Sequence, residues 1–238
     1  LQSALAMLFP PQCVSCGDPV ETEFGLCGKC WVQTPFIAGL VCDTCGTPLP
    51  GEDDGHIVHC DDCMALARPW MRGRSTLIYK DNARRLVLAL KHGDRLDLAR
   101  PAGVWMARAM TPILEPDMIV VPVPAHWTRL FQRRYNQAAV LAKTMATELR
   151  FEFAPDVLIR PRRTTPHEGM SLDARFANMQ GAIRPHPKRG ERLAGRKVLL
   201  VDDVMTSGAT FAACAEAALA AGAQEVRTAA LARVVKDA

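Results

Sequence analysis

The sequence predicts an α/β protein, a parallel sheet covered by helices on both faces, preceded by a small cysteine-rich module. Three observations carry that prediction. Eight of the nine cysteines lie between Cys13 and Cys63, so the N-terminal part is chemically unlike the rest. From about residue 70 onward, short apolar runs alternate with stretches of helical periodicity, the pattern of strands joined by helical crossovers. One apolar run, VLLVDDVMTSGAT at 198–210, stops at two adjacent carboxylates and passes through Thr, Ser and Gly into an Ala-rich stretch. The composition, 49% hydrophobic and 23% charged, is that of an ordinary globular chain. No apolar run approaches the roughly 20 residues of a membrane helix, so no membrane insertion is expected. The opening LQSALAMLFPPQ lacks a basic n-region and a small-residue cleavage site, which makes a cytoplasmic location the default.

The first module, residues 1–68, holds four Cys-x-x-Cys pairs: Cys13 with Cys16, Cys27 with Cys30, Cys42 with Cys45, and Cys60 with Cys63. A two-residue spacer lets both sulfurs of a turn point at one ion, and four thiolates complete a tetrahedral zinc site. The loops between pairs are 10, 11 and 14 residues, short enough for neighbouring pairs to meet. A disulfide scaffold would suit an exported protein, and a redox role needs one reactive pair rather than four in series; the paired knuckles favour metal over both. Sequential use is the simplest pairing: the first four cysteines on one zinc, the next four on a second. His56 and His59 lie close to Cys60, but no ligand is missing. With every position filled by protein, the two sites are expected to be structural. Few apolar residues remain for a core, so the metal must help fold the module.

The second module, residues 69–238, reads as alternating elements. TLIYK (76–80) is a strand, ARRLVLALKH (83–92) an amphipathic helix, and 101–110 a helix whose Pro101 suits a first turn. MIVVPVP (118–124) is a buried strand halted by prolines, and 135–149 carries apolar residues at helical spacing. Residues 156–159 form a short strand, followed by a polar, Arg-rich stretch from 160 to 195. Then come a strand at 198–201, a helix at 209–221 and a last strand at 226–234. Cys214 on the Ala-rich helix reads as a small buried hydrophobe.

In such sheets ligands bind beyond the carboxyl ends of the strands, and Asp202 and Asp203 stand at one. Residues 206–210 add hydroxyls and a glycine where the backbone must turn. The N–H groups opening the next helix are unpaired, and its end carries about half a positive charge, which makes an anion site. The acidic pair would repel a phosphate, so it should meet a group that donates hydrogen bonds, such as adjacent sugar hydroxyls. A ribose 5-phosphate satisfies both demands. The formal net charge of +4 counts cysteines as neutral and cancels once eight thiolates hold two dications. Local basic runs therefore matter more: Arg129, Arg133 and Arg134; Arg160, Arg162 and Arg163; and 184–197. Each alone is an ordinary solvated face, but three in one module point to an anionic ligand.

The pattern hydrophobic-DD-x-x-[TS]-[TS]-G-x-T resembles the signature by which type I phosphoribosyltransferases bind 5-phosphoribosyl 1-pyrophosphate (PRPP). The cysteine knuckles, ALKHGD (89–94), VPVPAHWTRLFQRRYNQA (121–138), RRTTPHEGMSLDARFANMQGA (162–182) and the PRPP stretch stand in the order seen in the ComF competence family. This resemblance, over almost the whole chain, implies a double zinc ribbon ahead of a type I phosphoribosyltransferase-like doubly wound parallel sheet. It implies that Asp202 and Asp203 hold the ribose hydroxyls and that Met205, Thr206, Ser207, Gly208, Ala209 and Thr210 hold the 5-phosphate. Lys91 and Gly93 would meet pyrophosphate, Arg162 and Arg163 screen it, and Arg175 and Asn178 belong to a mobile hood. Arg129, Arg133, Asn136 and Gln137 would line the acceptor side, with Arg133 grouped among the catalytic residues beside Lys91 and the acidic pair. Mg²⁺ would accompany PRPP. The implied roles are pyrophosphate-releasing phosphoribosyl transfer to an unidentified acceptor, or non-catalytic handling of single-stranded DNA during natural transformation with PRPP as a regulatory ligand, alongside other transformation proteins. The chain departs from the family pattern in Arg134 for a usual Gly, His167 for a usual Gln, Leu172 for a usual Arg, and Ser207 for a usual Thr.

Overall fold

The computed structural model describes residues 10–92, 95–165 and 169–235, with the side chains of residues 92, 129, 132 and 133 outside that set. In chain order the named elements are α1 (Gly28–Val32), α2 (Asp61–Ala65), β1 (Arg72–Ile78), α3 (Asp81–His92), α4 (Ala99–Met110), β2 (Ile119–Pro122), α5 (Trp127–Arg133), α6 (Gln137–Leu149), β3 (Glu152–Phe153), β4 (Leu158–Ile159), α7 (Leu172–Met179), β5 (Arg184–Pro185), β6 (Lys197–Met205), α8 (Ala209–Ala220) and β7 (Glu225–Arg233). Five strands form one sheet in the order β1-β7-β6-β2-β3, and every pairing in it is parallel. The predicted α/β class with a parallel sheet is therefore the observed one.

Both faces of the sheet are covered. On one face α3, α4 and α6 bury Val87, Leu90, Met106, Leu141 and Met145 against Leu199, Val201 and Leu231. On the other, Ala-rich α8 lies against Val198, Leu200 and Val226, with β4, β5 and α7 beyond it. Small side chains let α8 approach closely, and Cys214 is fully buried among them, as expected of a small apolar residue.

Several boundaries differ from the sequence reading, each for a physical reason. The first strand begins at Arg72 rather than 76 and ends at Ile78. Arg72 and Arg74 both bind the Asp43 carboxylate, at 2.7 and 2.8 Å, so a basic stretch that reads as linker is neutralised into a strand. The short strand expected at 156–159 is Leu158–Ile159, and it pairs antiparallel with β5 outside the main sheet; the sheet edge is instead β3. The polar stretch 160–195 holds α7 and β5 rather than loop alone. Strand β6 continues four residues past Val201, so Asp202 and Asp203 lie within a strand, not beyond it.

The third knuckle belongs to the core. Cys42 and Cys45 are 0% and 1% exposed and pack with Trp70 and the α8 side of the sheet. Gly46 and Gly73 mark the contact: a Cβ on Gly46 would meet Arg74 Cα at 2.8 Å, and one on Gly73 would meet the Thr44 carbonyl oxygen at 2.6 Å. The first knuckle pair instead caps the start of α3. Asn82 donates to Thr34 Oγ1 at 2.7 Å, Ser15 donates to Asn82 Oδ1 at 2.7 Å, and Arg85 reaches Ser15.

Candidate functional site

Two clusters of four thiols form as the simplest pairing predicts: Cys13, Cys16, Cys27 and Cys30 in one, Cys42, Cys45, Cys60 and Cys63 in the other. Within each cluster the sulfurs all lie within 4.8 Å of one another. Cys16 and Cys27 approach to 3.6 Å, as do Cys45 and Cys60. A zinc tetrathiolate with Zn–S of about 2.3 Å has S···S edges of about 3.8 Å, so both sets fit a structural zinc ion. His59 is occupied otherwise, its Nδ1 3.0 Å from Thr44 Oγ1.

The main cleft opens where β2 stops. Pro122 pairs with Val201, and the prolines at 122 and 124 cannot continue the ladder, while β6 runs on beside β7 to Met205. Asp202 and Asp203 thus project where one neighbouring strand has ended. They line a cavity of about 360 Å³ together with Lys91, Arg160, Thr206 and Thr210. Asp203 is 8% exposed, and its Oδ2 stands 3.2 Å from Lys91 Nζ at the end of α3. Asp202 Oδ1 accepts the Asp203 N–H at 2.8 Å. Burial, then the Asp203 charge beside it, push the Asp202 carboxyl up to about 7, against the opposing pull of Lys91 and Arg160. The strand ends in a loop in which Gly208 takes a left-handed conformation, φ 83°, before α8 begins at Ala209. Thr206 and Thr210 line the cavity together with the acidic pair. At the start of α8 the Ala209 N–H donates to Ser207 Oγ at 3.4 Å, and the next N–H groups of the helix have no intrahelical partner.

The other predicted residues divide into those that line the cleft and those that build it. Met205 is 3% exposed and packs in the core. Asn136 lines the cavity and also caps α6, accepting the Ala138 N–H at 3.1 Å and donating to the Val123 carbonyl at 3.0 Å. Gln137, 5% exposed, donates to the Lys91 carbonyl at 3.2 Å. Arg162 donates to the carbonyls of Asn178 and Gln180 at 2.8 and 2.7 Å, closing the end of α7. Asn178 reaches the Thr165 carbonyl at 2.9 Å and Arg175 the Met170 carbonyl at 3.1 Å, so both brace the hood. Arg163 is exposed. Gly93, His167 and the side chains of Arg129 and Arg133 lie outside the described residues.

Both halves of this architecture match known families. Residues 4–64 match the double zinc ribbon domain and residues 136–237 the phosphoribosyl transferase domain. Over 234 residues, 95% of this chain and 98% of the relative, the sequence is 30% identical to DNA utilization protein YhgH of Salmonella typhi. It is 28% identical over 233 residues to DNA utilization protein YhgH of Escherichia coli strain K12, with the same coverage. It is 25% identical over 228 residues to Competence protein F of Haemophilus influenzae, covering 93% of this chain and 96% of that one. The chain belongs to the ComF family.

Within this ComF-family cleft the structure adds residues that the motifs did not single out. Arg160 lies in the cavity wall, bonded to Thr164 and 3.5 Å from Met179 Sδ, and its charge is felt by Asp202. Tyr135 donates to the Leu90 carbonyl at 2.7 Å and, with Gln137, holds the end of α3 that presents Lys91. Beside the cavity a shallower groove runs past Trp127 and Leu130 to Leu158 and shares Asn136 and Arg160 with it. Trp127 and Phe131 on α5 are 66% and 87% exposed. Among the described residues no helix is long and apolar enough to cross a membrane.

Proposed function

We propose that this protein binds Mg²⁺-PRPP in the β6–α8 cleft and transfers its phosphoribosyl group to an acceptor with release of pyrophosphate. The supporting observation is one cavity lined both by Thr206 and Thr210, which flank the start of α8, and by the carboxylates of Asp202 and Asp203. That arrangement suits a phosphate and a vicinal diol on the same molecule. In this reading Asp202 and Asp203 accept from the ribose hydroxyls, and residues 205–210 supply the phosphate cradle. Mg²⁺ bound with the substrate would neutralise pyrophosphate charge, and Asp202 and Asp203 are the carboxylates of the cleft that would hold it. The acceptor attacks the anomeric carbon as its bond to the pyrophosphate oxygen breaks. Lys91 and Arg160 then stabilise the departing charge, which requires Lys91 to release Asp203. Gly93, Arg133, Arg163, Arg175 and Asn178 complete the pyrophosphate and hood sides, while Arg129, Asn136 and Gln137 border the acceptor.

A second reading draws on the exposed Trp127 and Phe131. Their ring faces offer a surface on which unpaired bases stack, and the relatives named for DNA utilization and competence supply the context. PRPP is then a regulatory ligand, and the protein works in the cytoplasm with other transformation proteins.

One experiment separates the readings. Pyrophosphate release is measured with PRPP, Mg²⁺ and each nucleobase in turn, and single-stranded DNA binding is followed by fluorescence at low and high salt. A transferase releases pyrophosphate with at least one acceptor. A pure binder releases none and shows affinity that falls steeply with salt and drops about tenfold in Trp127→Ala/Phe131→Ala. DNA binding absent at both salt concentrations rejects the second reading.

A further inference from the structure

The phosphate loop is held from behind by the link between the zinc ribbon and the sheet. Arg68 donates Nη1 to the Ser207 carbonyl at 3.0 Å, across 139 residues of sequence. Its guanidinium carbon lies 5.6 Å from the centre of the Trp70 ring and 5.5 Å from that of Phe176 on α7. Nε is enclosed and has no hydrogen-bond partner. Among the described residues no carboxylate forms an ion pair with it. Two ring faces and a carbonyl stabilise the cation without neutralising it, so its full charge remains to act on an anion brought near.

Trp70 completes the support. It is 5% exposed, and its Nε1 donates to the Thr44 carbonyl at 2.7 Å, between Cys42 and Cys45. Its Cη2 stands 3.0 Å from where a Cβ on Gly208 would sit. The second thiol cluster, Trp70, Arg68 and the loop at Ser207–Gly208 are therefore in continuous contact.

A trans peptide points its carbonyl and the following N–H in opposite directions. With the Ser207 carbonyl turned back onto Arg68, the Gly208 N–H is turned the other way, away from the guanidinium. We propose that Arg68 is a positioning residue for the 5-phosphate: it fixes this peptide plane, places an uncompensated positive charge behind the loop, and ties the loop to α7. The proposal rests on the PRPP reading above and deepens it, assigning to the zinc-ribbon link a determinant of phosphate affinity.

The test uses the full-length zinc-loaded protein and two probes, ribose 5-phosphate for the loop and inorganic pyrophosphate for the Lys91 side. Calorimetry is run on wild type, Arg68→Gln and Arg68→Lys, with zinc content and melting temperature measured in parallel. In Arg68→Gln, which keeps a donor but loses the charge, ribose 5-phosphate affinity falls roughly tenfold to a hundredfold, while pyrophosphate affinity changes less than about twofold. Arg68→Lys keeps the charge but not the flat donor plane between two rings, and loses a smaller but measurable part of the ribose 5-phosphate affinity. Should Arg68→Gln fail to fold, Arg68→Lys alone decides the matter by the same comparison. Unchanged ribose 5-phosphate affinity, or equal losses for both probes, overturns the inference while leaving the PRPP reading in place. A wild type that binds neither PRPP nor ribose 5-phosphate overturns both.

Discussion

Arg134 ends α5 with φ 64°, donating its N–H to the Leu130 carbonyl at 2.7 Å. This left-handed cap is why the family pattern has glycine at the position: a side chain there crowds its own carbonyl. Arg134→Gly is expected to stabilise the protein by about 0.5–1 kcal/mol, read as a higher urea midpoint with unchanged slope. A midpoint that stays put or falls would mean the arginine makes compensating contacts. Asp202 shows strain of another kind. Its carboxyl is held near 7 by burial and the Asp203 charge, against an ordinary value near 3.8. Below the ordinary value both folded and unfolded chains carry the proton, and this group favours neither. As pH rises from there toward 7 the unfolded chain gives up its proton while the folded chain keeps it, so stability falls through that window. Asp202→Asn should therefore match wild type at about pH 4 and exceed it by on the order of 2 kcal/mol at about pH 8. The melting temperatures of the two proteins across that range check the sign. The pairing of the acids was readable from the sequence, but the shift was not, because its largest cause is the burial that the tertiary fold imposes on Asp202.

At the scale of elements, β6 and α8 were legible because an apolar run, a turn of hydroxyls and glycine, and an alanine face each have one local explanation. The hood was less so. Leu172–Met179 forms a helix capped by Ser171, yet its polar, Arg-rich surroundings conceal it. What holds it, Arg162 on the Asn178 and Gln180 carbonyls and Asn178 on the Thr165 carbonyl, is tertiary. Arg162 therefore helps to hold the end of α7. Strand β1 was foreshortened for the same reason, since only Asp43 makes its arginines acceptable. The zinc clusters carry the matching prediction. Because Cys42 and Cys45 sit in the core against Trp70, chelating zinc should lower the melting temperature of the whole chain by at least about 10 °C in one cooperative transition. Differential scanning calorimetry with and without a chelator measures this; a sheet domain that melts unchanged would show the ribbon to be a detachable module.

Over the whole molecule, each thiol cluster supports a different element near the cleft. The first caps α3, whose far end presents Lys91; the second backs β1, Trp70 and the loop at Ser207–Gly208. Spacing alone revealed both clusters, since Cys-x-x-Cys turns are local. It did not reveal what they hold, because Arg68 and Ser207 are far apart in sequence and neither belongs to a shared motif. Arg160 was legible only as part of a basic run; that it lines the cavity beside Asp202, and that Tyr135 holds the end of α3, appears only once α3, α6 and β6 converge. The central claim is that this convergence forms a PRPP site, and calorimetry of PRPP with Mg²⁺ on wild type and Asp202→Ala tests it most directly. Saturable binding by the wild type, weakened at least about tenfold in a folded, zinc-replete Asp202→Ala, is the predicted result. No heat of binding from the wild type at PRPP concentrations up to about 1 mM would contradict it.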